Sequence, residues 1–395
     1  MRILIIVVYY LPSPVSCAKL IQDLANELYR QGHNVSIVTT DEHMSTDLQI
    51  SDEEGVRVVR VRSGKIKTAS MPVRMFNECI LSRTIWHQGK QFFKDNPHDL
   101  IIYYSPTIFF GPLVKKLKKL YSCSSYLILR DIFPQWALDA GVIKKGPLYG
   151  YFKWKERINY EAADYIGVES PGNLVYFSKK NLDKKYQLEV LYNWTALFEE
   201  KHVIYNYRDQ LGLQNKVVFF YGGNIGVAQD MDNIIRLAIH LRNEPEAYFL
   251  LVGDGSEVSR LKFIINREGL TNISIHPPVD QKQYQSMLDE FDVGLITLNR
   301  NLKTYNFPGK MLGYMQHSMP ILASINPDND LRALLDRHQV GLASINGDDE
   351  ALCQNALRIL KDKFLRRQNG LNGHKLLEEM FSVSQAERQI MSHFT

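Results

Sequence analysis

The sequence predicts an α/β protein of two doubly wound, Rossmann-like domains, and three observations support this fold class. Its 395 residues exceed the roughly 250–300 residues at which a single hydrophobic core stops growing. Short apolar runs of strand length alternate with helical patterns in both halves, as in βαβ units. A composition of 45% hydrophobic and 23% charged residues is typical of globular chains and excludes the disordered and collagenous classes.

The first half starts with a continuous apolar strand at residues 2–8, as expected for a parallel sheet covered on both faces. Leu20, Leu24 and Leu28 then recur at helical spacing, Gly32 ends that helix, and a strand resumes at Asn34. Further strands are predicted at residues 56–61, 99–104, 125–129, 165–169 and 189–191. This order of elements predicts a doubly wound first domain.

A second series of strands and helices follows the polar stretch 199–209, which we interpret as the linker. Its strands are predicted at residues 217–221, 248–252, 273–276, 293–297 and 320–323, and its helices from about residues 232, 258, 281, 310 and 328. We therefore expect domains at 1–197 and 198–378 that face one another across a cleft. The remaining residues, 379–395, include a predicted helix that could return to the first domain.

The net charge of +4 conceals an uneven distribution along the chain. Residues 57–157 carry 19 Lys and Arg against 6 Asp and Glu, in basic clusters at 57–67, 115–119 and 144–157 that flank an amphipathic stretch at 71–93. Such a segment suits anionic lipid head groups at the inner face of the membrane. Alternatively, each cluster is a solvated helix face whose apolar residues pack on the core. We expect no nucleic-acid partner, because the second half is acidic and carries no nucleic-acid motif.

The expected compartment is the cytoplasm, with peripheral contact to the plasma membrane. The four cysteines lie far apart, without the close pairs of a zinc or redox motif. No run approaches the roughly 18 apolar residues that span a bilayer. The first strand lacks the charged n-region and the cleavage site of a signal peptide.

Two strands of the second half end in glycine turns, at 221–230 and 251–256. Glycine allows the backbone to approach a phosphate closely, but any parallel sheet also needs tight turns there. Neither turn has the dinucleotide fingerprint, which argues against an oxidoreductase. The most specific segment is 305–315, where Pro308 and Gly309 shape a turn before Lys310 at the start of a helix. A cation is unfavourable at that end of a helix, so a bound diphosphate would explain Lys310 better than solvent would.

These segments, together with Leu129–Pro134, resemble GT-B glycosyltransferases of family 4 over essentially the whole chain. Within that family the sequence is most similar to bacterial N-acetyl-L-fucosaminyltransferases of O-antigen or capsule assembly. The resemblance implies transfer of a sugar from a UDP-sugar to a polyprenyl-diphosphate-linked acceptor. It assigns donor contacts to residues of the second domain, listed here: Gly223, Asn224, Gly253, Asp254, Gly255, Phe307, Pro308, Gly309 and Lys310. On the acceptor or phosphate side it places Ser16, Lys19, Arg130 and Asp131 of the first domain.

The sequence departs from the family pattern at three places. The two family glutamates fall on Tyr305 and Gly313, Gln229 replaces a frequent lysine, and the first loop has Ser16-Cys17-Ala18 where glycines are common. Without the glutamates, retention of the anomeric configuration stays open. Two alternatives stay open: a GT-B-type sugar-nucleotide epimerase or hydrolase, which would share the cleft but needs no lipid, and a non-catalytic partner of a polysaccharide assembly complex, which the lost glutamates suggest.

The expected mechanism is metal-independent transfer, because no Asp-x-Asp pair sits at a strand end and Lys310 can stabilise the leaving diphosphate. Asp131 is a candidate general base for the acceptor hydroxyl, but it could equally cap a helix or pair with Arg130.

Overall fold

The computed structural model describes residues 1–13, 15–66, 71–139, 141–180, 182–197, 205–302 and 307–394. The chain divides into two compact units, the first formed by Met1–Ala196 with Val383–Thr395 and the second by Leu197–Ser382. The predicted boundaries were 197/198 and 378/379. Residues 199–204 of the predicted linker, 199–209, lie outside the described residues, and a short helix at Tyr207–Gln210 begins within its remaining part.

The first unit contains an eight-stranded sheet with helices on both faces. Its strands are β1 (Arg2–Ile6), β2 (Asn34–Asp41), β3 (Leu48–Glu53), β4 (Val56–Arg62), β5 (Leu100–Tyr104), β6 (Ser124–Leu129), β7 (Tyr165–Val168) and β8 (Leu188–Val190). Its helices are α1 (Ser16–Arg30), α2 (Met71–Asp95), α3 (Gly111–Tyr121), α4 (Gln135–Asp139), α5 (Pro147–Tyr160) and α6 (Pro171–Lys179). The strand order is β3-β4-β2-β1-β5-β6-β7-β8, so the winding reverses between β1 and β5.

Both faces of this sheet are buried, which explains the continuous apolar runs of its central strands. Along β1, Leu4 and Ile6 belong to one core cluster, and Ile3 and Ile5 to the cluster on the other face. All five residues of β5 are buried.

The strand β3 was absent from the prediction, and it makes the sheet mixed because it pairs antiparallel with β4. Its sequence, LQISDE, is mostly polar, and its side chains alternate between half-buried and exposed positions. Charged pairs join this edge to its neighbour, among them Arg57 with Asp52 and Arg60 with Glu53.

The C-terminal helix α15 (Val383–Met391) belongs to the first unit. Val383 N–H donates to the Thr195 carbonyl at 3.0 Å, and the Gln389 amide donates to the Val190 carbonyl at 2.8 Å. Ile390 and Met391 are buried in the same cluster as Leu24 and Leu28 of α1.

The second unit contains a six-stranded parallel sheet. Its strands are β9 (Val217–Gly222), β10 (Ala247–Val252), β11 (Ile273–His276), β12 (Val293–Thr297), β13 (Ile321–Ile325) and β14 (Gly341–Ile345). Its helices are α7 (Tyr207–Gln210), α8 (Asp232–His240), α9 (Val258–Arg267), α10 (Gln281–Glu290), α11 (Lys310–Gln316), α12 (Leu331–His338), α13 (Asp349–Lys361) and α14 (Lys363–Leu376). The strand order is β11-β10-β9-β12-β13-β14, so the winding reverses beside β9.

The edge strand β14 was also missed by the prediction, because its sequence GLASI is rich in small residues and only half-buried. Among the described residues, none of the helices is both long and apolar enough to cross a bilayer.

Candidate functional site

In the second unit, the predicted donor residues converge at the carboxyl end of β9. The winding of the sheet reverses here, and in open α/β sheets this is where a crevice for ligands forms. Gly223 and Asn224 directly follow β9, and Gly253, Asp254 and Gly255 follow the adjacent β10. Lys310 opens α11, and its Nζ lies 3.7 Å from the position that a Cβ on Gly223 would take.

The glycines after β10 are required by the packing of the two loops on each other. A Cβ on Gly253 would lie 1.9 Å from the Gly223 carbonyl oxygen, and one on Gly255 would lie 2.2 Å from that of Ile225. Both glycines have positive φ, at +153° and +156°. Ile225 N–H donates to the Asp254 carbonyl at 2.8 Å, which ties the loops together. Gly253, Asp254 and Gly255 therefore shape the loop after β9 through these contacts, independently of any ligand.

Lys310 is a desolvated cation. Its Nζ lies 3.4 Å from the centroid of the Tyr221 ring, and within the described part of the chain it has no carboxylate partner. Burial lowers the pKa of its ammonium to about 7. A buried charge normally needs an opposite charge, so the position suits an anionic group of a ligand.

The residues before Lys310 have distinct environments. Phe307 is buried and packs edge-on against Phe381 at 6.1 Å, which anchors this segment to the chain after α14. Pro308 accepts a hydrogen bond from Met311 N–H through its carbonyl at 2.9 Å. Gly309 is exposed with φ −57°, and a Cβ added to it would meet nothing within 4 Å. The fold of the second unit therefore does not require a glycine at 309.

In the first unit, the loop before α1 offers less than the sequence suggested. Ser16 is the first residue of α1 and is exposed, while Val15 occupies the cap position. Lys19 forms an ion pair with Asp23 one turn further along the helix, so its charge already has a partner.

Arg130 and Asp131 follow β6 but do not form an ion pair within the described residues. The Arg130 side chain is buried, and its guanidinium donates to the carbonyls of Leu129, Gly167 and Tyr192 at 3.3–3.5 Å. Its Nε has no partner in the part of the chain that the structure describes. The guanidinium also lies 5.5 Å from the Trp194 ring.

Asp131 itself is exposed and accepts no hydrogen bond from described residues, so it neither pairs with Arg130 nor caps α4. Although the residue as a whole is exposed, the surrounding protein desolvates its carboxyl and raises the carboxyl pKa, and the charge of Arg130 opposes that shift. Of the roles considered for Asp131, a catalytic one is compatible with this free carboxyl.

Sequence reasoning missed a buried carboxyl beside Arg130. Glu169 follows β7, accepts a hydrogen bond from the Asn193 side-chain amide at 2.5 Å, and is 5% exposed. Burial raises its pKa to about 7, Arg130 lowers it and Asp131 raises it further. The signal was an acidic residue directly after a buried strand, which the prediction had included in the strand.

Residues 215–362 match the model of the family "Glycosyl transferases group 1". The matched residues make up most of the second unit. The chain is 24% identical over 332 residues to a putative colanic acid biosynthesis glycosyl transferase, WcaI, of Escherichia coli K12, covering 79% of this chain and 80% of that protein.

Solved structures show the fold of the whole chain. Sucrose-phosphate synthase from Thermosynechococcus elongatus superposes with a TM-score of 0.72 at 17% identity, covering 100% of this chain and 98% of that one. Anabaena HepE in complex with UDP superposes with a TM-score of 0.66 at 16% identity, covering 100% and 99%. The chain therefore has the GT-B fold, as the sequence predicted.

The second unit shows what surrounds the positions where the sequence departs from the pattern that it resembles. A Cβ on Gly313 would lie 3.3 Å from Leu288 Cδ1, so α11 packs closely on α10 at the position where the resemblance leads one to expect the second glutamate. The position of the first glutamate, Tyr305, lies outside the described residues. Gln229 accepts a hydrogen bond from the Asn224 amide at 3.1 Å and thereby holds the loop after β9. Among the described residues, no three His, Cys, Asp or Glu side chains are grouped to hold a metal ion.

Proposed function

We propose that the protein transfers N-acetyl-L-fucosamine, or a related hexosyl or N-acetylamino sugar, from a UDP-sugar to a polyprenyl-diphosphate-linked glycan. The reaction belongs to O-antigen or capsule biosynthesis, at the inner face of the bacterial plasma membrane. The group 1 match, the resemblance to fucosaminyltransferases and the colanic acid relative support a role in polysaccharide assembly. The likeness to HepE in complex with UDP supports UDP as the nucleotide.

The observation that carries this proposal is the position of Lys310. Its ammonium is desolvated, has no acidic partner among the described residues, and lies beside Gly223, where the backbone is bare. A diphosphate placed there would meet a cation in a poorly hydrated setting, where charge-assisted contacts are strong. The same cation would stabilise the negative charge that develops on the leaving diphosphate.

The remaining roles follow from chemistry. Transfer is metal-independent, because Lys310 supplies the positive charge that a divalent ion would otherwise provide. Asp131 is the candidate base for the acceptor hydroxyl, since its carboxyl has no partner among the described residues and desolvation raises its pKa. Arg130 contributes positive charge on the acceptor side, and this charge acts on the Asp131 carboxyl.

The test combines donor binding with transfer. We expect UDP to bind to the wild-type protein in calorimetry and Lys310→Met to weaken that binding about 10- to 100-fold, as loss of a charged contact does. Lys262→Met is the matched control, because Lys262 is an exposed lysine of α9 in the same domain. With UDP-N-acetyl-L-fucosamine and a lipid-linked acceptor, product should form with wild type and control.

The outcomes separate the alternatives. Turnover of the donor without any acceptor would favour an epimerase or hydrolase. UDP binding that depends on Lys310 but yields no transfer with any pairing of sugar donor and acceptor would favour a non-catalytic partner. Absence of UDP binding would overturn the proposed donor site itself.

A further inference from the structure

The three basic clusters of the first unit differ in whether acidic residues neutralise them. In the cluster at 57–67, Arg57, Arg60 and Arg62 pair with Asp52, Glu53 and Asp47, and Lys67 lies outside the described residues. In the cluster at 115–119, Lys115 pairs with Glu161 at 3.3 Å and Lys118 with Asp164 at 2.7 Å. Three arginines of the first cluster and two of the four lysines of the second are therefore already paired with carboxylates.

In the third cluster, at 144–157, Lys153 and Arg157 are paired with acidic residues, but three lysines have no such pair among the described residues. Residues 141–155 contain four lysines and neither Asp nor Glu. Lys153 pairs with Glu156, but Lys144, Lys145 and Lys155 have no carboxylate partner in the described ranges. Lys144 and Lys145 are exposed on the loop before α5, and Lys155 lies 4.6 Å from the Trp154 ring.

Large apolar side chains are exposed around these lysines. On α2, Val73, Phe76 and Ile80 are spaced at helical intervals, and Phe76 is 63% exposed. Trp136 on α4 and Trp154 on α5 are the two exposed tryptophans of the four in the sequence. Val142 and Leu148 lie exposed on either side of the two loop lysines.

A small core cluster joins the segments that carry these exposed residues, because residues of α2, of the chain before α4 and of α5 all belong to it. Met75 and Cys79 of α2 pack against the cluster that contains Phe152 of α5, and the Tyr151 hydroxyl lies 3.3 Å from Cys79 Sγ. Phe133 links Trp136 to this cluster, since it lies 6.1 Å from the Trp136 ring and 5.0 Å from the Phe152 ring. Trp154 in turn lies 5.9 Å from Tyr151.

The other interpretation of the amphipathic stretch holds for its second half only. Leu81, Ile85, Phe92 and Phe93 are buried in the core of the first unit, as a helix face packed on a sheet requires. The stripe of Val73, Phe76 and Ile80 is not covered in this way. We call this stripe, with Trp136, Val142, Leu148, Trp154, Lys144, Lys145 and Lys155, the aromatic–lysine platform.

We propose that the aromatic–lysine platform seats the first unit on an anionic lipid surface. Tryptophan prefers the boundary between head groups and acyl chains, because its ring is apolar and its N–H is polar. The three lysines lie in the same segments as the apolar side chains, and anionic head groups would neutralise their positive charge. This inference deepens the proposed function, on which it rests for the location of the acceptor, by naming the surface that meets the membrane.

Sedimentation with vesicles tests the platform without donor or acceptor. We expect the protein to bind vesicles that contain phosphatidylglycerol, and to bind phosphatidylcholine vesicles far less. The triple change Lys144→Gln, Lys145→Gln, Lys155→Gln should lower partitioning onto anionic vesicles about a hundredfold. Each of the three lysines near the membrane surface contributes a similar share of the attraction to anionic head groups. The triple change Phe76→Ser, Trp136→Ser, Trp154→Ser should abolish it.

The matched control is Phe263→Ser with Phe364→Ser, since these phenylalanines of the second unit are 66% and 77% exposed. Vesicle binding by the control should equal that of wild type, and circular dichroism confirms that each variant is folded. Equal binding by platform variants and wild type would overturn the proposal. The proposal would also be overturned if the wild-type protein self-associates and the same substitutions abolish that self-association. The platform would then be an interface with a second copy of the chain. Because the vesicle assay measures no sugar transfer, absence of vesicle binding would leave the donor-site proposal unaffected. Absence of UDP binding would likewise leave the membrane proposal testable by this assay.

Discussion

The ammonium nitrogen of Lys310 lies 3.4 Å from the centroid of the Tyr221 ring. The Tyr221 hydroxyl donates to the Asn224 carbonyl at 2.6 Å, so the ring is fixed to the loop after β9. The ring face favours the charged form of the lysine, whereas burial lowers its pKa to about 7. An anion that binds beside Gly223 would restore the charge, so donor binding and protonation of Lys310 are coupled.

This coupling predicts a pH-dependent affinity for UDP. Above about pH 7 the free Lys310 loses its proton, and the affinity should fall by up to about tenfold per pH unit, because the anion binds the protonated form. Calorimetry in buffers of different ionisation enthalpy measures the proton taken up on binding. The variant Lys310→Arg keeps its charge at every accessible pH and should flatten the profile. An equally flat profile for wild type would contradict the coupling.

Two glycines of the second unit should differ in how alanine at their positions affects stability. Gly253→Ala places a Cβ 1.9 Å from the Gly223 oxygen at φ +153°, so we expect a loss of stability of about 2 kcal/mol or more. Gly309→Ala meets no protein atom within 4 Å and has an ordinary φ, so its melting temperature should match wild type.

If the donor occupies the space beside residue 309, Gly309→Ala should nevertheless raise the donor KM at least about tenfold through misplacement of the substrate. Thermal unfolding and steady-state kinetics of the two variants measure both effects. An unchanged KM for Gly309→Ala would remove residue 309 from the sugar pocket.

Local patterns in the sequence predicted most of the fold, and non-local contacts account for what they missed. Apolar runs predicted the central strands β1 and β9 because both faces of each sheet are covered. The edge strand β3 has no such run, and its ladder depends on charged pairs with β4. The edge strand β14 lacks it too, because its two buried positions hold the small residues Gly341 and Ser344.

The candidate site was predictable to a similar extent. The turn at Pro308 and Gly309 indicated that Lys310 opens a helix, which the structure confirms. Its contact with Tyr221 could not be predicted, since the two residues are 89 positions apart in the sequence. Local spacing likewise left two interpretations of Gly253 open, and only the position of the Gly223 oxygen shows that the loop packing itself requires a glycine.

Asp131 provides a test of the acceptor side. It makes no ion pair or hydrogen bond with described residues, so Asp131→Asn should leave the melting temperature unchanged. As the candidate base, its loss should lower kcat about 100-fold or more, with little effect on UDP binding. Asp183→Asn, another exposed carboxylate of the first unit, is the control. A kcat equal to that of wild type would leave Asp131 without a catalytic role.

Glu169 predicts an unusual dependence of stability on pH. Its pKa in the folded protein is about 7, above the ordinary value of 4.5, chiefly because of burial. The folded state therefore holds a proton that the unfolded state releases, and the free energy of unfolding should fall as pH rises from about 4.5 to about 7. Glu169→Gln keeps an oxygen that can accept the Asn193 hydrogen bond but cannot ionise. At about pH 8 it should be more stable than wild type by up to about 3 kcal/mol, and at about pH 4 the two should be alike.

Chemical unfolding followed by tryptophan fluorescence measures this difference in the relevant unit, because all four tryptophans lie in the first unit. Other carboxyls with raised pKa values, such as Glu156 and Glu387, contribute equally to both proteins and cancel in the comparison. Glu161→Gln is the control, because its carboxyl is paired with lysines that lower its pKa, so the change should reduce stability at neutral pH. A stability difference between Glu169→Gln and wild type that stays constant with pH would show that Glu169 is ionised in the folded protein.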